Sequence, residues 1–85
     1  MIRWDGAPIE LFVYDMGPQY AQVESAWNVF RPSFVPGRTM VVFNEYGSPR
    51  AESLRRFCRE RAAELVPMHK PWGPAKAFLL RASVA

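Results

Sequence analysis

The sequence is short of several things at once. It has one cysteine, Cys58, in 85 residues, which excludes an internal disulfide framework and a cysteine-based zinc cluster. Its one histidine, His69, sits between Met68 and Lys70 in a Pro-rich stretch, and no second element positions it for a Ser–His–Asp or Cys–His arrangement. A surface-loop histidine is the expectation. No apolar run approaches the roughly 18 residues that span a bilayer. Met1 leads straight into Ile2, Arg3, Trp4 and Asp5 without an apolar leader, so a cytoplasmic protein with no membrane partner is expected. The phosphate-cradling pattern GxGxxG is missing, and there is no repeat or low-complexity tail.

What is present is enough for one small ordered domain over residues 1–85. Hydrophobic residues make up 49% and charged residues 22%, a balance that argues against disorder. Trp4, Trp27 and Trp72 add bulk for a core. A chain this size buries only about 60–65% of its unfolded surface, so the core is marginal. The net charge of +3 is unevenly placed. Residues 1–45 carry three basic against five acidic groups, a net of −2; residues 46–85 carry eight against three, a net of +5. A basic half can meet a polyanion. The simpler reading is a solvated helix face, so nucleic acid is not an expected partner.

Proline and glycine cut the chain into periodic segments. Residues 9–15 (IELFVYD) hold a continuous apolar run that suits a strand buried on both faces. From Gln19 to Phe30, the residues Tyr20, Val23, Trp27 and Phe30 form one helical stripe. Pro18 stands at its first turn, and Arg31-Pro32 ends it. Pro36-Gly37 signals a turn. Residues 39–43 (TMVVF) form a second apolar strand, followed by a loop with Glu45, Tyr46 and Gly47. Arg50 to Val66 predicts a long helix with Ala51, Leu54, Phe57, Cys58, Ala62 and Leu65 on its apolar stripe and Pro67 closing it. Residues 75–82 (AKAFLLRA) predict a last strand. Cys58 on the stripe reads as a buried, inert thiol.

Strand–helix–strand–helix–strand order implies an α/β fold: a three- or four-stranded, mostly parallel sheet with right-handed crossovers. If the sheet grows in one direction, both helices land on one face. The other face of LFVY and MVVF is then apolar and bare, and something outside the chain's own helices must cover it. A second copy of the chain is one expected partner, giving a homo-oligomer such as a dimer. Ligands of open parallel sheets bind beyond the carboxyl ends of the strands, which here are the Asp15–Tyr20 and Asn44–Gly47 loops. Asp15 and Glu45 are carboxylates suited to general-base or oxygen-ligand chemistry there. The competing reading is that Asp15 caps the following helix or hydrogen-bonds the turn.

The stretch IELFVYDMGPQYAQVESAWNVFRPSFVPGRTMVVFNEYG resembles the second half of a class I S-adenosylmethionine-dependent methyltransferase, a Rossmann-like family. Asp15 matches the acidic end of that family's fourth strand, and Tyr20 keeps an aromatic that follows it. Phe34-Val35-Pro36-Gly37 matches the turn before the fifth strand, and Glu45 matches the acidic position after it. The second helix and AKAFLLRA resemble the family's last helix and its antiparallel seventh strand; the likeness covers about residues 8–82. It implies Asp15 and Glu45 as catalytic residues, Asp15 and Met16 at the donor's methionine end, and Tyr20, Asn44 and Tyr46 on the acceptor. The family's Gly-rich loop and its second acidic strand end have no match here. The resemblance therefore implies an acceptor-side half that does not bind S-adenosylmethionine tightly alone. Its partner is a missing N-terminal half or a second copy.

Overall fold

The structure, a computed structural model, describes residues 4–17, 19–68 and 73–82. Pro18 and His69, assigned above to a helix start and a surface loop, lie outside them, as does Trp72. The elements are β1 (Leu11–Tyr14), α1 (Tyr20–Phe30), a short 3-10 turn at Arg31–Ser33, β2 (Met40–Phe43), α2 (Glu52–Glu60), β3 (Leu65–Pro67) and β4 (Lys76–Leu80). They build one four-stranded sheet in the order β1-β2-β4-β3.

The α/β class stands, but the sheet is mixed rather than mostly parallel. β1 and β2 pair in parallel, while β4 runs antiparallel to both β2 and β3. β3 is the element the periodicity missed. The long helix expected to reach Val66 stops at Glu60, and residues 61–64 form turns with i→i+3 bonds from Ala62 N–H to Arg59 C=O and from Glu64 N–H to Arg61 C=O. The reason is competition for backbone partners. Leaving the helix lets Leu65 and Val66 pair with Leu80 and Leu79, which gives the outer side of β4 a ladder. Pro67 is tolerated because β3 is an edge strand. Glu64, spared a helical repulsion with Glu60, accepts from Arg31 at 2.7 Å instead.

The turn at residues 35–38 matches its sequence signal. Arg38 N–H donates to Val35 C=O at 2.9 Å, with Pro36 first and Gly37 second in the corner. Gly37 has φ +80°, a left-handed conformation that favours glycine.

Register decides which side chains share a face, because directly opposed residues in a sheet project the same way. Tyr14, Val41, Phe43, Phe78, Leu80 and Leu65 fall on one face and are all buried. Val23, Ala26 and Trp27 of α1 and Leu54, Phe57 and Cys58 of α2 join them in a single core cluster. Both helices therefore cover the same face. Trp27 stacks edge-on to Phe34 and Phe57, and the Arg61 guanidinium sits 3.6 Å over the Phe57 ring.

The opposite face carries Leu11 and Val13 of β1, Met40 and Val42 of β2, Ala77 and Leu79 of β4, and Val66 of β3. Every one is apolar, and none belongs to the core cluster. Leu11 and Val13 are 56% and 49% exposed, Met40, Val42, Leu79 and Val66 are half-buried, and Ala77 is buried. Among the described residues neither helix covers this face, as expected, and its exposure is greatest at β1. The expectation that LFVY is an interior strand does not: β1 is an edge strand, and only MVVF lies inside the sheet. The molecule measures 36 × 33 × 21 Å, and the short dimension fits one sheet and one helix layer.

Candidate functional site

The parallel pairing of β1 and β2 sets Tyr14 opposite Phe43, so the loops that follow leave the sheet side by side. Asn44 N–H donates to Tyr14 C=O at 3.2 Å and fixes that junction. Asp15, Met16, Asn44 and Glu45 thus share one end of the sheet. Asp15, Met16 and Glu45 are exposed, and Asn44 is half-buried. Asp15 does not cap α1. The cap position is Gln19, whose N–H donates to the Gln22 carboxamide at 3.3 Å. The turn is instead closed by Tyr14, whose hydroxyl donates to Gly17 C=O at 2.6 Å; burial raises the pKa of that phenol.

The two tyrosines assigned to the acceptor side have other work. Tyr20 donates its hydroxyl to Glu60, lies 4.5 Å under the Arg56 guanidinium and stacks edge-on to Phe57, so it ties α1 to α2. Tyr46 stacks edge-on to Phe78 with the Lys76 ammonium 4.9 Å from its ring, and its carbonyl accepts from Arg55 at 2.8 Å. Both side chains are half-buried parts of the packing.

Gly17, the one glycine in the loop after β1, is closed over by a side chain: a Cβ there would meet Gln22 at 2.1 Å. Among the described residues, no group of three His, Cys, Asp or Glu side chains could hold a metal ion.

The basic character of the second half is largely absorbed within the chain. Arg55 also donates to Ser48 C=O and pairs with Glu52, Arg59 pairs with Glu52 at 2.9 Å, and Arg81 donates to Ala63 C=O. The hydrogen bond and charge of Arg59, then those of Arg55, hold the Glu52 carboxyl below its usual value. Cys58 is buried as expected. Burial pushes its thiol up to about 12, against the opposing pull of Lys76, Arg61 and Arg59.

Two features escaped the sequence reading. Thr39 is fully buried and hydrogen-bonded. A groove of about 300 Å3 also runs beside β1, with Trp4 and Met16 among its lining residues. The sequence did hold a signal for the groove, since no charge or proline interrupts residues 11–14 and exposed apolar residues flank them on both sides.

Asp15→Ala should leave stability unchanged within about 0.5 kcal/mol, as at any exposed position without a structural partner. Urea unfolding measures this. A loss of about 1 kcal/mol would restore the capping role. Compared with protein-family models, curated proteins and solved structures, the chain matches none.

Proposed function

We propose that the chain is a non-catalytic assembly module, built like the acceptor-side half of a Rossmann-like methyltransferase domain, that works as a homo-oligomer with its uncovered sheet face against a second copy. The observation that carries this is the composition of that face: seven strand residues from all four strands, every one apolar, opposite a face that two helices cover. A parallel strand pair with an acidic loop after each strand, then an antiparallel last strand, supports the half-domain part of the reading. The engagement of both tyrosines in packing supports the absence of catalysis by one chain.

The physical case is one of area. A broad side of 36 by 33 Å has room for the roughly 800 Å2 per partner that a standard interface buries. Apolar area removed from water contributes about 25 cal/mol per Å2, so covering a few hundred Å2 of apolar sheet is worth on the order of 10 kcal/mol before association costs. That is comparable with the whole stability of a small domain. Two sheets packed in this way stand about 10 Å apart with their helices outward.

Sedimentation at micromolar concentration tests the reading. The wild type is expected above the monomer mass of 9.8 kDa. Val42→Lys, on the outer face of the central strand, is expected to lower the mass while keeping a folded far-UV spectrum. Titration with S-adenosylmethionine should give no heat. A monomeric wild type, or tight donor binding, overturns the proposal.

A further inference from the structure

The outer edge of β1 is a second surface, independent of the face. Its ladder with β2 fixes which way each backbone group points. Met40 N–H donates to Glu10 C=O at 2.8 Å, and Asn44 N–H donates to Tyr14 C=O at 3.2 Å. Residues 10, 12 and 14 therefore turn their backbone groups inward, since alternate residues of a strand bond to opposite sides. Leu11 and Val13 turn theirs outward, where the strand order leaves no partner among the described residues. The same two residues are among the most exposed large apolar side chains of the chain. Native sheets blunt such an edge with a charge, a proline or a bulge. Between Glu10 and Asp15, β1 has no charge and no proline, and its register with β2 is unbroken. The groove alongside is floored by Phe12, Tyr14, Ala26 and Phe30, with Trp4 and Met16 also lining it.

We infer that this edge takes β1 of a second copy, antiparallel, about a two-fold axis perpendicular to the sheet. Only outward-facing residues can bond across the new edge, and the strand offers two of them, one residue apart. The register that uses both sets Leu11 against Val13 of the partner subunit, and Val13 against Leu11 of the partner subunit. Both outward N–H groups and both outward C=O groups of each copy are then satisfied. Phe12 falls on the axis and meets Phe12 of the partner subunit at a non-hydrogen-bonded position beside the groove. Charge favours the same register. Glu10 falls opposite Tyr14 of the partner subunit and Asp15 opposite Ile9 of the partner subunit, so like charges never face each other. Sliding by two residues brings Leu11 against the acidic Asp15 of the partner subunit, or leaves one outward residue unmatched. The edge is thus complementary to itself. The axis keeps the helices of both copies on one side, which leaves the bare faces free to pair about a second axis. The two contacts together give a four-copy assembly with dihedral symmetry.

Two variants test the edge and keep it distinct from the face. Val13→Pro removes an outward N–H that β2 does not use and leaves the face apolar, so the ladder with β2 survives while the new edge does not. It should halve the sedimentation mass of the wild type and retain a cooperative unfolding transition. Phe12→Cys should form a disulfide-linked dimer on mild oxidation, because only a residue on the axis meets its own copy; Val66→Cys, on the far edge strand, should not. If Val13→Pro leaves the mass unchanged and folded Phe12→Cys does not cross-link, the edge pairing is overturned. If Val13→Pro lowers the mass and Val42→Lys does not, the edge pairing stands and the face reading fails.

Discussion

Val41→Asp is expected to yield no folded protein. Val41 is fully buried on the interior strand β2, with Phe12 and Phe78 as its partners across the two ladders. The buried side chains of this core are aromatic or aliphatic apart from the Cys58 thiol, and the cations on that side, Lys76 and Arg61, already lie over the Phe78 and Phe57 rings. An unpaired charge in such a place costs several kcal/mol even after the group protonates. A domain this small holds on the order of 5 kcal/mol in total. Far-UV circular dichroism and urea unfolding at 25 °C should show no cooperative transition. A soluble variant with a native spectrum would overturn the assignment of residues 40–43 as a covered strand. The comparison with Val42→Lys sharpens the test. The two positions are adjacent in sequence, equally apolar and on the same strand, so only the side of the sheet they face separates a lost fold from a lost association.

That contrast also marks how far sequence could go. Continuous apolar runs at 11–14 and 40–43 announced two strands, and crossover handedness alone announced that both helices would fall on one face. Both hold among the described residues. The runs could not say which strand lies at the edge, because an edge strand with an exposed apolar face has the same pattern as one buried on both sides. The amphipathic stripe of α2 was legible as far as Cys58. Beyond it, Ala62 and Leu65 continue the helical spacing, but Leu65 serves the core just as well from a strand, and the backbone of β4 decided the matter. The loops after β1 and β2 were located correctly, and Asp15, Met16, Asn44 and Glu45 do gather there. That packing holds Tyr20 and Tyr46 was not legible, because an aromatic beside an acidic loop looks like a binding residue until its packing partners are known. Those partners, Arg56, Phe57 and Phe78, lie at least 30 positions away in sequence.

Thr39→Val should cost about 2–4 kcal/mol, because two half-buried backbone groups lose their partner together. The Thr39 hydroxyl accepts from Val35 N–H at 2.6 Å and donates to Ile9 C=O at 2.5 Å. It joins the Pro36-Gly37 turn to the segment that leads into β1, and so holds the two parallel strands at their common start. Valine has nearly the same shape, so the substitution opens no cavity and the loss belongs to the hydroxyl alone. The outcome follows from what is left behind: a Val35 N–H and an Ile9 C=O that lose a protein partner in a half-buried place. Thr39→Ser keeps the hydroxyl and removes one methyl group, at about 1 kcal/mol or less. With a urea slope of roughly 1–3 kcal/mol per M, the valine variant should lower the unfolding midpoint by about 1–2 M, and serine by much less. Equal midpoints for wild type and Thr39→Val would show that the turn and β1 are held by something other than this side chain. The parallel register of β1 and β2 would then need another anchor.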